Sequence, residues 1–394
     1  MEFLDNIFLI IAGGIREGLG GVAPEWVVEL VMMLIAASVL TLLTTLTMMF
    51  LTWMERKVVG RIQDRIGPNR VGPRGLLQPV ADMVKMFTKE DITPRDASRW
   101  VYNLGPVLVV PPAILAFAVI PFGDGLSGAN LSIGWLYLAA IASTSVVGIF
   151  MAGWGSRNKY ALLGAIRAAA QIVSYEIPQV LSVVGVILLA GSLSMQTIVE
   201  AQDVWFIVLQ PVAFITFMIA SVAEIERSPF DLPEAESEII AGYHTEYSAL
   251  KFGMFMLAEY ISVFAISGIA VTLFLGGWRG PVLPGWLWFL GKTYLVIFTM
   301  MWLRGTLPRM RVDQLMNFAW KVLVPITLAN IFMSGIVGII VNPLTTPRLW
   351  TAVGFILGNL ILLAILIVIM VVRAPKSDDA SLGALSVEGA VAGQ

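Results

Sequence analysis

Residues 30–54 read LVMMLIAASVLTLLTTLTMMFLTWM and contain no Asp, Glu, Lys or Arg. A helix needs about 20 apolar residues to cross the ~30 Å hydrocarbon of a bilayer, and this run is long enough. Residues 349–372, LWTAVGFILGNLILLAILIVIMVV, are equally free of charge. Working inward, the apolar stretches predict spans at 26–54, 100–121, 133–153, 162–190, 204–223, 250–275, 286–304, 320–341 and 350–372. The fold class is therefore all-α, a polytopic membrane protein with about nine transmembrane helices. Composition agrees. Of 394 residues, 58% are apolar and 13% charged, where soluble domains run nearer ~45–50% and ~25%. That argues against a soluble enzyme, a disordered chain or a nucleic-acid binder.

The chain has no cysteine and one histidine, His244. Disulfides and thiolate-ligated iron–sulfur clusters are excluded, as is haem held by two histidines of one chain. Any electrons involved arrive on a partner.

Orientation is read from the basic residues in the loops. Of the 25 Lys and Arg, the segment 55–99 alone carries ten, and the same predicted side holds most of the others. Only Arg16, Arg279, Lys292 and Arg348 fall on the opposite side. The N-terminus is expected outside and the C-terminus in the cytoplasm, with cytoplasmic loops at 55–99, 224–249 and 305–319. Residues 1–25 lack the basic start of a signal peptide and read as an interfacial segment. The polar tail, 374–394, reads as disordered.

The loop 55–91, ERKVVGRIQDRIGPNRVGPRGLLQPVADMVKMFTKED, starts with Gly-Pro turns. An amphipathic stretch follows, with Leu76, Val80, Met83 and Phe87 on one face, and such a helix can lie in the membrane interface. Arginines here suit positive-inside topology and lipid headgroups; they also suit a docking surface and the mouth of a cavity.

A second loop sits on the same side but is acidic. Between 224 and 246 it carries Glu224, Glu226, Asp231, Glu234, Glu236, Glu238 and Glu246, opposed only by Arg227. It could be a solvated acidic loop that binds cations or a basic partner. The interleaved Ile225, Phe230, Leu232, Ile239, Ile240 and Tyr243 argue for burial instead. Crowded acids hold protons at higher pH than isolated ones, which suits proton relay. Asp231 could cap a following helix. Glu176 and Glu259 lie inside predicted spans, where a charge costs ~2.5–3.5 kcal/mol or more unless neutralised or paired. An internal proton site is the default reading there, and a neutral structural acid the alternative. Lys292, near the end of its span, is expected to snorkel. His244 beside the acids is expected to titrate near working pH, with no metal site. Arg304, Arg309 and Arg311 could pair with the acidic loop.

The run Glu55-Arg56-Lys57, Arg65-x-Gly67-Pro68-Asn69, Gly72-Pro73, Gly75-Leu76-Leu77-Gln78-Pro79, Ala81-Asp82 and Lys89-Glu90 resembles the signature of one family. That family is the H-subunit of proton-translocating NADH–quinone oxidoreductase, respiratory complex I. Ala223-Glu224-x-x-Arg227-x-Pro229-Phe230-Asp231-Leu232-x-Glu234-x-Glu236-Ser237-Glu238 is similar to its most distinctive motif. Glu246-Tyr247, Ala258-Glu259-Tyr260, Ser174-Tyr175-Glu176 and Arg304–Met316 continue the likeness. Glu226 stands where the family varies, and Met310 and Val312 stand where many relatives have aromatics.

The resemblance implies a plasma-membrane subunit at the joint of the complex, forming much of the quinone chamber. Glu176, Glu224, Glu234, Glu236, Glu238, Glu246 and Glu259 would carry the proton path. Arg56, Arg65, Asp82, Arg227 and Asp231 would shape the chamber or its entrance. Quinone is implied as substrate. NADH, FMN and iron–sulfur clusters would sit on partners, namely the soluble subunits around the terminal cluster. Antiporter-like membrane subunits would adjoin. Two alternatives stay open: the membrane subunit of an energy-converting hydrogenase, and a stand-alone proton-coupled transporter.

Overall fold

A computed structural model describes residues 7–20, 24–231, 241–341 and 348–373. The described chain is helical, and its only strand-like feature is one isolated bridge between Gly123 and Leu126. The tail 374–394, expected to be disordered, lies outside the described residues, as does the helix that Asp231 was expected to cap.

Helix α1 is Ile7–Gly20 and α2 is Glu25–Ile62. Helix α3 is Gln78–Thr88, α4 Arg99–Leu115, α5 Gly134–Gly155 and α6 Lys159–Ala190. Two short helices follow, α7 (Met195–Glu200) and α8 (Phe206–Leu209), then α9 (Pro211–Glu224) and α10 (Ala249–Phe274). The chain ends with α11 (Gly285–Thr306), α12 (Val312–Phe318), α13 (Val324–Val341) and α14 (Arg348–Arg373). A π-turn at Ala319–Leu323 joins α12 to α13.

Among the described residues, seven helical stretches are long and apolar enough to cross a membrane. They match predicted spans one to four and six to eight. The ninth predicted span falls on α14. The fifth, 204–223, is a broken element. Pro211 has no N–H to donate and excludes its predecessor from helical geometry, so Gln210 sits at φ −135°, ψ 62° between α8 and α9. Helix α2 runs past the apolar stretch to Ile62. The Gly-Pro loop folds back on this extension: a Cβ on Gly67 would lie 2.8 Å from the Arg56 carbonyl oxygen.

Small residues let α4 and α5 approach backbone to backbone. A Cβ on Gly155 would stand 2.6 Å from the Tyr102 nitrogen, and one on Gly148 would stand 3.1 Å from the Gly105 carbonyl oxygen. Helix α6 is started by the Asn158 side chain, which accepts from the Tyr160 N–H at 2.9 Å. It is stopped by Gly191 in the left-handed region at φ +66°. It packs against α5, α9 and α13. Lys292 does not snorkel. It is buried and donates to the carbonyls of Leu275, Gly277 and Arg279 at 2.7, 3.0 and 2.8 Å. Its ammonium satisfies backbone carbonyls of the turn that follows α10, which compensates its burial.

Candidate functional site

The turn after α9 is fixed by its neighbours. Gln171 of α6 donates from Nε2 to the carbonyls of Ala223 and Phe230 at 2.7 and 2.8 Å, bracketing residues 224–230. The Met310 N–H donates to the Pro229 carbonyl at 3.1 Å. Phe230 lies against Tyr175, with ring centroids 5.6 Å apart. Tyr102 and Tyr247 stack at 4.3 Å, and the Tyr247 hydroxyl donates to the Tyr102 carbonyl at 2.8 Å. The segment 241–248 is thereby tied to α4.

Between these anchors opens a cavity of about 140 Å³. Its polar lining includes Gln179, Glu224, Glu226, Asp231, His244 and Glu259. Its apolar walls come from α4, α5 and α10, among them Val109, Trp135, Ile141, Phe255 and Ile266. Four carboxyl groups from the predicted acidic loop and α10 thus face one space whose far walls are hydrocarbon. Glu224 carries one buried oxygen, Oε2, with no hydrogen-bond partner among the described residues. Glu224 also receives a hydrogen bond from Gln179 and feels the charge of Glu176. Glu176 in turn accepts from the Ser143 hydroxyl of α5. The Tyr243 hydroxyl donates to Glu226 Oε2 at 3.1 Å.

Behind Glu259 lies a charged cluster. Arg227 donates from one nitrogen to both oxygens of Glu55, each at 2.7 Å, and its Nε lies 2.6 Å from Glu259 Oε1. Arg304 pairs with the same Glu55. The Arg227 guanidinium sits 4.4 Å from the centroid of the Tyr260 ring. Arg227 and Glu55 are both buried. The charges balance in number, which offsets the desolvation each one costs. Arg227 retains its proton well above the ordinary range: burial opposes that, and the charges of Glu259 and Glu55 outweigh it.

The structure thus gathers Glu176, Glu224, Glu259, Arg227 and Asp231, and adds Glu226. Asp231 is held by Arg309 at 2.9 Å, an expected pairing, while Arg304 goes to Glu55 instead. Glu246 stands apart from the cavity lining; it accepts from Asn158 Nδ2 at 2.7 Å. Arg56 and Asp82 pair with each other at 2.6 Å, pinning α3 to the end of α2. Asp82 is partly buried, which disfavours its charge, but hydrogen bonds from Arg56 and Lys85 hold its carboxyl below the usual range. Arg65 is exposed and donates to Gln63. Glu234, Glu236 and Glu238 lie outside the described residues. Sequence reasoning passed over Glu55 and Gln179 as site residues. Glu55 had a signal: it is the lone acid directly after an uncharged span and before two cations. Gln179 had none beyond its place one turn after Glu176.

His244 does not titrate near neutral pH. Its ring is buried, stacked 5.1 Å from Phe255 and edge-on to Tyr243 and Phe252. Burial pushes its pKa down to about 4. An unfolded chain protonates His near 6.5, so between those values the unfolded state binds the extra proton. Stability is unaffected above pH 6.5 and falls as pH drops towards 4. Thermal scans of the purified assembly across that window should show this loss, and His244→Phe should reduce it.

A sequence model described as NADH dehydrogenase matches residues 34–335. The NADH-quinone oxidoreductase H-subunit of Dehalococcoides mccartyi is 57% identical over 282 residues, 72% of this chain and 80% of that protein. The chain belongs to the H-subunit family of NADH-quinone oxidoreductase. One such H-subunit from Geobacter metallireducens is 51% identical over 296 residues, covering 73% and 90% of the two chains. That of Carboxydothermus hydrogenoformans is 48% identical over 338 residues, covering 84% and 96%. As a member of this family the chain is a membrane component of an oxidoreductase complex. The hydrogenase and stand-alone transporter alternatives give way to that family.

Proposed function

We propose that this subunit forms much of the quinone chamber of its complex and links quinone reduction to proton translocation through buried carboxylates. The observation that carries the reading is the single cavity faced by Glu224, Glu226, Asp231 and Glu259, with apolar walls suited to an isoprenoid quinone. Electrons come from NADH through FMN and iron–sulfur clusters on the soluble partners, the last of which docks over the basic loop that holds Arg56, Arg65 and Asp82. The relatives are bacterial proteins, so the membrane is the plasma membrane, with the N-terminus outside and the C-terminus in the cytoplasm.

A quinone that accepts electrons also takes protons, and the chamber acids supply them. That changes the charge of Glu234, Glu236, Glu238 and Glu246 at the loop. Glu224 responds, because its carboxyl is buried, incompletely hydrogen-bonded and repelled by Glu176. Glu176 and Glu259 pass the change towards the antiporter-like subunits, a coupling of free energies between separate sites. Arg227 fixes Glu259 at one end of the route.

Glu224→Gln and Glu176→Gln keep shape and remove the exchangeable proton. In assembled complex, each should lower proton-coupled quinone reduction by ~100-fold or more, the lower end of what a proton-transferring group contributes. Assembly on native gels should survive. Undiminished proton translocation by an assembled Glu176→Gln complex in proteoliposomes would take that residue off the path.

A further inference from the structure

The break between α8 and α9 carries a second polar site, remote from the cavity. Gln210 lies 14 residues before Glu224, which at ~1.5 Å per helical residue places it about 21 Å away along α9. Gln210 is fully buried, and Asn330, Ser334 and Asn359 are 1%, 3% and 1% exposed. Gln210 Nε2 donates to the Gly185 carbonyl at 3.0 Å and to the Ser334 hydroxyl at 3.1 Å. Asn359 Nδ2 donates to the Leu209 carbonyl at 2.8 Å, where the break frees a backbone acceptor.

The rest of these amides point at no protein partner. Gln210 Oε1, Asn359 Oδ1 and both polar atoms of Asn330 are buried without a hydrogen bond among the described residues. Buried amide groups are rarely left so. Gly185 explains where their partner sits. A Cβ there would meet Gln210 Oε1 at 2.5 Å and Asn330 Nδ2 at 3.2 Å. An acceptor and a donor therefore converge on a point that the missing side chain leaves open.

We propose that Gln210, Asn330 and Asn359 bind ordered water at the helix break, and that this water is a proton relay station inside the membrane domain, remote from the acidic loop. Water can donate to Gln210 Oε1 and accept from Asn330 Nδ2 at once, and buried waters typically make such bonds to otherwise unsatisfied groups. The site's side chains are neutral amides and a hydroxyl, which match water rather than an uncompensated cation. Polar groups lead towards it from the carboxylates: Gln179 Nε2 donates to Ser221 Oγ at 3.1 Å, and Ser182 and Thr216 are buried along the same helices, α6 and α9. The relay role rests on the carboxylate reading given above; the water site does not.

The test uses the whole complex. A cryo-EM map at water-resolving quality should show density within hydrogen-bond distance of Gln210 Oε1 and Asn330 Nδ2. Two amides turned onto each other, with no density between them, would overturn the site. Gly185→Ala puts a methyl into the space between the Gln210 and Asn330 amides while keeping both residues, and Asn330→Leu removes one amide. In proteoliposomes each should lower protons translocated per NADH while uncoupled NADH–quinone reduction is kept. An unchanged ratio in a variant whose map has lost the density would overturn the relay role. Loss of uncoupled quinone reduction in Glu224→Gln, by contrast, bears only on the cavity.

Discussion

Arg227→Leu is expected to be the most damaging single change in this subunit. The guanidinium bonds both oxygens of Glu55 at 2.7 Å and approaches Glu259 at 2.6 Å, inside a buried cluster. Leucine removes one positive charge and leaves two carboxylates facing each other in low dielectric. Breaking a buried pair from one side costs ~3–5 kcal/mol, a large fraction of a domain's stability. Arg304 still neutralises Glu55, so the unmet charge is chiefly that of Glu259. The expected readout is little or no subunit recovered in intact complex, and a lowered thermal midpoint for what assembles. Arg227→Lys should do better but not well, because a point charge cannot serve Glu55 and Glu259 together or cover the Tyr260 ring as a planar group does. Adding Glu259→Gln to Arg227→Leu should restore part of the loss, since contacting residues are not additive. An Arg227→Leu complex with unchanged yield and midpoint would show the cluster to be unimportant.

Gly164→Ala comes second. A Cβ at Gly164 would lie 2.6 Å from the Gly242 Cα and 3.0 Å from the Tyr243 nitrogen. Both obstacles are backbone, so no rotamer relieves the overlap. The turn at Gly242–His244 must move away from α6, and it carries Tyr243, which hydrogen-bonds Glu226, and His244 on the cavity wall. Overpacking of this kind costs ~1–3 kcal/mol, and here it falls on the site. Quinone reduction should show a raised KM and a reduced rate, with a lowered thermal midpoint. Gly335→Ala is the control: nothing lies within 4 Å of a Cβ at that position on α13. Replacing an interior helical Gly with Ala there should be silent or stabilise by up to ~1 kcal/mol.

Much of the fold was legible in the chain because lipid acts as a uniform solvent. A helix must satisfy its own backbone in hydrocarbon, so an uncharged run such as residues 30–54 has one outcome. The exception was the fifth span, where hydropathy counts apolar residues but does not feel Pro211. The break is a local covalent effect, and it was visible as a proline; its consequence, a buried Gln210 meeting Asn330 and Asn359, was not. The candidate site was half legible. Acids interleaved with Ile225, Phe230 and Tyr243 implied burial, and Glu224 and Asp231 do line the cavity. Lys292 and His244 were misread for the same reason. Their behaviour depends on how the chain folds around them: three loop carbonyls meet Lys292, and the rings of Tyr243, Phe252 and Phe255 enclose His244.

By itself the sequence determined that this chain is a helical membrane protein, where its acids and bases are concentrated, and that it offers no thiolate for a metal cluster. Those are properties of composition and short-range pattern, and the family signature adds to them. Only the tertiary structure decided which charges neutralise one another. Glu55, Arg227 and Glu259 are separated by more than 170 residues and by more than 30 residues, and acids nearer than Glu55 stood along the chain, Glu224 and Glu226 for Arg227 and Asp313 for Arg304. Coulomb energy depends on distance and on burial, and both are set by how α2, α10 and α11 pack around the turn that carries Arg227. The partner of a buried charge is thus a fact of packing, which no local pattern records.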